Sequence, residues 1–394
     1  MHPEIRKIYI VNSLTSLDFA RGIFALYLVS KGLSESHIGM LQSFLFLANM
    51  FFEVPSGIVA DAFSRKAAMK SGLLFLILFP VLLITCDSVV GVFFCFVILA
   101  IGQSLISGSD NALLYESVNR FDDSPNAYKK HIGKIRSLKY TMLGGAIFLG
   151  GFMQIYYSWE AVYLSTSLAL IIAFYVVSTL KIQEPSMKKK VKKDGWFGFS
   201  ELRFGKFWYL YVGTASVSAA STPLFIFSQL LFSESGFSSP MISTVISCGL
   251  AFSVVAYSNA YKLGEFVNGF VMIALNLFNV LLLTLIPIIS NEYSIVLIYL
   301  LCQIVPALLT VHFSDYINKS LTDSVRATGN SVESFFSMSF LVVANVIIGV
   351  LIELIGIRYA ISTLAVFPVF TVVLYIVFLS SKKKDRYEKN RNSS

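Results

Sequence analysis

The feature that most restricts how this 394-residue chain can fold is the recurrence of apolar runs about as long as a bilayer is thick. A helix needs about 20 apolar residues to cross the hydrocarbon. Windows of that kind fall at about 7–30, 38–60, 69–89, 92–116, 136–157, 160–180, 206–232, 240–261, 266–289, 293–316, 331–354 and 359–380. Composition agrees, with 56% hydrophobic residues, 14% charged and a mean hydropathy of +0.72, too apolar for an ordinary soluble domain. The pattern predicts an all-α membrane protein with twelve transmembrane helices. No small-residue cleavage site follows the first run, so it is expected to stay in place as the first span.

The charges are distributed as they would be around a membrane. Of the 31 Lys and Arg residues, all but Arg21, Lys31 and Arg358 lie at or before the start of the first window, around the connections that follow even-numbered windows, or in the tail. Positive charge collects on the cytoplasmic side, so both termini are expected there, which requires an even number of spans. The same distribution accounts for the net charge of +8 without nucleic acid as a partner. The four cysteines, Cys86, Cys95, Cys248 and Cys302, have unrelated spacings, and neither a disulfide framework nor a metal site is expected.

The longest polar interruption, KIQEPSMKKKVKKDGWFGFSELRFGK, separates two sets of six windows. The predicted organisation is an N-terminal six-helix bundle over 1–180, a basic cytoplasmic linker over 181–205, a C-terminal six-helix bundle over 206–380 and a cytoplasmic tail over 381–394. Two pseudo-symmetric bundles place a pathway between them. The linker suits either a short amphipathic segment on an anionic leaflet or a solvated tether.

The first window, NSLTSLDFARGIFALYLVS, carries Asp18 and Arg21. Ionisable groups at membrane depth cost about 2.5–3.5 kcal/mol each on insertion scales. At the helical period Thr15, Asp18 and Arg21 share one stripe, turned toward a water-accessible crevice. A self-neutralising pair is the structural alternative, and it leaves room for function, because a proton or substrate can change an aspartate's partner. Glu53 lies one turn before Gly57 and is expected to face the cytoplasmic part of the pathway. Asp110, Asn111 and Glu116 belong to the fourth window, with Lys139 of the fifth as a candidate partner for Asp110. His312 and Asp315 stand three apart in the tenth. The lone amides Gln229, Asn259, Gln303 and Asn345 read as hydrogen-bond links between helices.

The connection GIVADAFSRK, with Gly57, Asp61, Arg65 and Lys66 in a tight cytoplasmic turn, resembles the signature of the major facilitator superfamily. FFEVPSG just upstream and SGSDNALLYES in the fourth window strengthen the likeness to its bacterial drug-efflux-like branches. The resemblance implies the twelve-helix fold of that family and a conformational latch formed by Gly57, Asp61 and Arg65; by their own charge Arg65 and Lys66 are expected to pair with acids or lipid phosphates. It also implies a proton motive force in place of any cofactor. The expected partners are a small-molecule substrate, protons and membrane lipids, and the chain is expected to act as a monomer in the bacterial cytoplasmic (inner) membrane. The sequence departs from the family pattern at Ala62 and Ser64, has Ser104 where an arginine is common, and has LGGAIFLGG in the fifth window without the antiporter glycine-proline pattern.

The expected function is export of a small amphipathic or peptide-like molecule in exchange for protons. Proton-coupled uptake of a solute such as a siderophore or nutrient is the alternative. No nucleotide-binding loop is present, so ATP is not the expected driver. Hydrolysis by His312 with Asp315 or Ser314 lacks the converging groups and motifs that it needs, and a receptor of the same fold would be expected to carry a larger soluble extension.

Overall fold

The computed structural model describes residues 1–62, 64–107, 109–122, 124, 127–181, 204–263, 269–320 and 326–377. At 54–62, 129, 204–207, 261–263, 269, 314–320, 326–328 and 330 it describes the backbone alone. The described residues are helical and form two compact units, Met1–Lys190 with Phe232–Ala251, and Val191–Leu231 with Phe252–Ser394.

The first unit holds α1 (Pro3–Leu14), α2 (Phe24–Ser30), α3 (Glu35–Ala62), α4 (Arg65–Thr85), α5 (Val89–Ile106), α6 (Ser109–Phe121), α7 (Ala127–Tyr156) and α8 (Trp159–Ser178). Local sequence explains several of these boundaries. Ser64, Ser88 and Ser158 stand just before α4, α5 and α8, and each side chain accepts from a backbone N–H three residues on. That is the arrangement that makes serine a favoured helix start. At the far end of α8, Lys66 Nζ donates to the carbonyls of Ser178 and Leu180 at 3.0 and 2.6 Å, and Lys7 Nζ donates to Thr179 O at 2.8 Å. Cations there complement the negative end of the helix dipole.

Glu4 accepts from Lys7 and from the Lys181 N–H, tying the start of the chain to the end of α8. Burial raises the Glu4 pKa, but those two donors outweigh it and hold the carboxyl below its ordinary value. The apolar core beneath joins Ile8 and Val11 of α1, Leu73 of α4, Leu113 of α6 and Ala173 of α8.

The remaining helices are α9 (Phe204–Glu234), α10 (Ser239–Leu263), α11 (Gly269–Leu285), α12 (Glu292–Ser320), α13 (Arg326–Ile355) and α14 (Ile357–Thr363), with helix resuming over 366–377. The part of α10 up to Ala251 groups with the first unit, where Ser247 Oγ donates to Gly144 O at 2.8 Å and Ser243 Oγ to Phe148 O at 3.3 Å. Gly151 of α7 lies so close to Ser243 that a Cβ would collide with it. Gly150 and Gly151, the second glycine pair of LGGAIFLGG, therefore allow close packing. In the second unit the core gathers Tyr211, Met272, Leu309, Phe313 and Val332.

Eight helical stretches among the described residues are long and apolar enough to cross a membrane. The first, second, fifth and ninth apolar windows are not among them, for different reasons. The first is broken in its middle. Helices α3 and α7, of 28 and 30 residues, exceed the roughly 30 Å of hydrocarbon at about 1.5 Å per residue, but α3 runs over residues 54–62, whose side chains lie outside those described, and polar residues dilute α7. Over Phe270–Leu285 the ninth is apolar but shorter.

Two expectations about amides need correction. Asn259 and Asn345 do not link helices in the way proposed from sequence. Their side-chain amides donate to Val255 O and Leu341 O of their own helices, at 2.9 and 2.8 Å. A buried or half-exposed asparagine can satisfy its N–H on the preceding turn without a neighbour.

Candidate functional site

The predicted polar stripe does not sit on a continuous helix. Helix α1 ends at Leu14, α2 begins at Phe24, and Thr15–Ile23 form successive turns. The turns are well bonded. Thr15 Oγ1 and Ser16 Oγ donate to Asn12 O at 3.2 and 2.8 Å, Asp18 N to Ser16 O at 3.0 Å and Ile23 N to Ala20 O at 3.0 Å. Phe19 N, which an intact helix would bond internally, donates instead to Thr166 Oγ1 of α8 at 3.2 Å. Non-helical backbone at membrane depth is tolerated where protein or a watery cavity surrounds it, and here α7 provides the seat. The Phe19 carbonyl lies against Gly150, where any Cβ would collide with it.

The break opens on a cavity of about 140 Å³ inside the first unit. Thr15, Asp18 and Arg21 line it from the break, Gln42 from α3, Gln103 from α5, and Tyr163 and Thr166 from α8. Phe24, Phe79 and Phe96 form an aromatic wall, with ring centroids 5.8 Å apart for Phe79–Phe96 and 5.9 Å for Phe24–Phe96. Asp18 is half-buried, Arg21 is exposed, and the Ala20 and Arg21 backbone N–H groups point at the Asp18 carboxylate. Pro80 of α4 also borders the cavity. It has no N–H to continue the helical ladder, and the nearby Ile77 carbonyl accepts from Ser167 Oγ of α8 at 3.3 Å.

Tyr163 is 2% exposed, and its hydroxyl has no hydrogen-bond partner among the described residues. An unsatisfied buried donor of this kind costs about 1–3 kcal/mol.

The other sequence-predicted residues lie elsewhere. Asp110, in the first turn of α6, accepts from the Asn111 N–H at 2.7 Å and from Lys139 Nζ of α7 at 2.9 Å. The proposed Asp110–Lys139 partnership is present, and both carboxylate oxygens are engaged. Asn111 and Glu53 are exposed. Arg65 of α4 pairs with Glu116 of α6 at 3.2 Å. Lys66 Nζ caps α8 through the Ser178 and Leu180 carbonyls. Gly57 and Asp61 lie in α3 and Asp315 in α12, but their side chains fall outside those described, so the latch and the His312–Asp315 pair cannot be drawn from geometry. His312 is half-buried.

A further cluster lies at the start of α7. Tyr9 Oη and His131 Nδ1 are 2.8 Å apart, and His131 Nε2 and Asp122 Oδ2 are 2.8 Å apart. Hydrogen bonds from Ser124 and His131 lower the Asp122 pKa to about 2.

Sequence reasoning missed Tyr163, Gln42, Gln103 and Thr166, because a search for charge in apolar windows does not see neutral polar groups. Asn49, another missed amide, does link helices, donating to Gln103 Oε1 at 3.1 Å. Glu333 was overlooked although an acid at the head of an apolar run was visible. It is half-buried in α13, beside Tyr211.

Comparison with known proteins places this geometry in context. Residues 8–339 match the sequence profile of the Major Facilitator Superfamily. A Bacillus subtilis (strain 168) protein described as an uncharacterized MFS-type transporter, YxaM, is 23% identical over 381 residues, covering 93% of this chain and 94% of its own. The crystal structure of the nucleoside transporter NupG is similar with a TM-score of 0.79 at 15% identity, covering 96% of this chain and 99% of its own. A bacterial homologue of the human lysosomal transporter Spinster, in an inward-facing and occupied conformation, gives 0.79 at 14% identity, covering 97% of each chain.

Proposed function

Because the chain belongs to the Major Facilitator Superfamily and is a membrane transporter rather than an enzyme, we propose that it is a secondary active exporter driven by proton antiport. Its substrate is a small amphipathic or peptide-like molecule, moved by alternating access between two six-helix bundles. Twelve spans with both termini in the cytoplasm, a monomer, and residence in the bacterial cytoplasmic membrane complete the proposal. The observation that carries it is the broken first span, whose acid, Asp18, borders a cavity. A carboxylate that can exchange a proton for another partner there favours different conformations in its two protonation states. A proton moving through about 100 mV contributes about 2.3 kcal/mol to that bias.

Asp110 suits a structural role better, since both its oxygens already have donors. In the latch, the Arg65–Glu116 pair joins α4 to α6, and Asp61→Asn is expected to shift accessibility toward the inward-open state. The departures at Ser104 and in α7 favour proton-coupled uptake as the second possibility.

The deciding experiment uses proteoliposomes loaded with a mixture of small metabolites and placed in acidic buffer, with efflux followed by mass spectrometry. Wild type is expected to release a defined compound only while the gradient lasts, and folded Asp18→Asn to lose that release. Full gradient-driven efflux by Asp18→Asn would remove Asp18 from the mechanism.

A further inference from the structure

We propose that the cavity at the break of the first span is a binding subsite for a small zwitterion, its ammonium against Asp18 and Tyr163 and its carboxylate against Arg21. The inference deepens the export proposal and rests on its placing Asp18 in the transport pathway. Size comes first. An engineered cavity of about 150 Å³ in another protein takes up a benzene molecule, so about 140 Å³ suits a body of roughly the same size. A larger amphipath could place only its head group here and would have to extend past the exposed Arg21.

Charge comes next. The lining residues include one carboxylate and one guanidinium, and a ligand with a single charge would oppose one of them while pairing with the other. A ligand bearing both charges opposes neither, because each of its charges can be turned toward the lining group of opposite sign.

The third observation is independent of charge. Thr166 Oγ1 already accepts from Phe19 N and donates to Val162 O, and Gln103 Oε1 accepts from Asn49. The Tyr163 hydroxyl, buried in the same wall and near Asp18, has no partner among the described residues. An ammonium brings three donors, enough for the carboxylate and the tyrosine oxygen together. The phenylalanine wall supplies the remaining requirement, a surface for a compact apolar group.

The test uses the purified full chain in lipid nanodiscs and the standard α-amino acids, each beside its methyl ester and its N-acetyl derivative. At least one zwitterion is expected to bind saturably by calorimetry, with its two singly charged derivatives weaker by about tenfold or more. Tyr163→Phe should weaken the zwitterion about tenfold while the melting temperature of the unliganded protein is kept or raised, since the variant removes an unpartnered hydroxyl. Arg21→Gln, at an exposed position, should abolish discrimination against the ester, and it keeps the proposal testable should the tyrosine variant misfold. Binding of no zwitterion at millimolar concentration, or of an ester as tightly as its parent, would overturn the subsite. Gradient-driven efflux persisting in that case would leave the exporter proposal standing. Zwitterion binding without gradient-driven efflux would support the subsite and remove the exporter.

Discussion

In the first unit, acids meet cations or histidine: Asp110 with Lys139 at 2.9 Å, Arg65 with Glu116 at 3.2 Å, Asp122 with His131 at 2.8 Å and Lys31 with Asp87 at 2.9 Å. The second unit handles buried polarity differently. Asn276, Asn279 and Asn345 are 2%, 4% and 0% exposed, and their side-chain oxygens have no partner among the described residues. Among those residues its one ion pair is Arg358–Glu292, with side chains 31% and 32% exposed. Glu333 is the acid that stands apart from this pattern. The contrast places the interrupted span and most of the described ion pairs in the first unit, while the second keeps Glu333 and His312 as half-buried titratable groups.

That contrast can be broken by substitution. The largest effect is expected at Asp110→Asn, which leaves Lys139 without its counter-charge and should destabilise by about 3 kcal/mol. Adding Lys139→Met should recover much of the loss in thermal unfolding. Next comes Gly150→Ala, which drives a methyl group into the Phe19 carbonyl and should cost about 2 kcal/mol while also impairing transport. Gly145→Ala is its control. A Cβ there meets nothing within 4 Å, so the better helix propensity of alanine should stabilise by about 0.5–1 kcal/mol.

In the second unit, Asn345→Leu should change stability by less than about 1 kcal/mol in either direction, because it removes an amide whose oxygen is already unpartnered. A loss as large as that of Asp110→Asn would erase the distinction between the units. The smallest effect concerns Asp122. Its folded pKa is depressed to about 2, so its contribution is present above about pH 4, near the ordinary carboxylate value, and is lost as pH falls toward the folded value. The stability difference between wild type and Asp122→Asn should shrink over that interval.

The helical architecture was legible because apolar windows of bilayer length have few other solutions. Asp18, Arg21, the Asp110–Lys139 pair and the glycines of α7 were also legible, since charge in an apolar run and repeated glycines are strong local signals. The break at Thr15–Ile23 was not. Neither proline nor glycine sits at the end of α1; the interruption depends on tertiary partners, the Thr166 hydroxyl and the space above Gly150, which lie more than a hundred residues away. Tyr163 was hidden for a related reason, as one of 19 tyrosines whose burial next to Asp18 only the fold creates. Asn259 and Asn345 misled because a lone amide in an apolar helix looks alike whether it bonds a neighbour or its own preceding turn.

Everything turns on water reaching the interrupted stretch of the first span. In a background without native cysteines, Asp18→Cys and Arg21→Cys can be exposed to a charged, membrane-impermeant thiol reagent from either face of reconstituted vesicles. Modification at both positions is expected, with the reactive face changing when the pH gradient is reversed, while Phe51→Cys, on an exposed apolar surface, stays unmodified. Protection of positions 18 and 21 from both faces, under either gradient, would contradict the proposed coupling site.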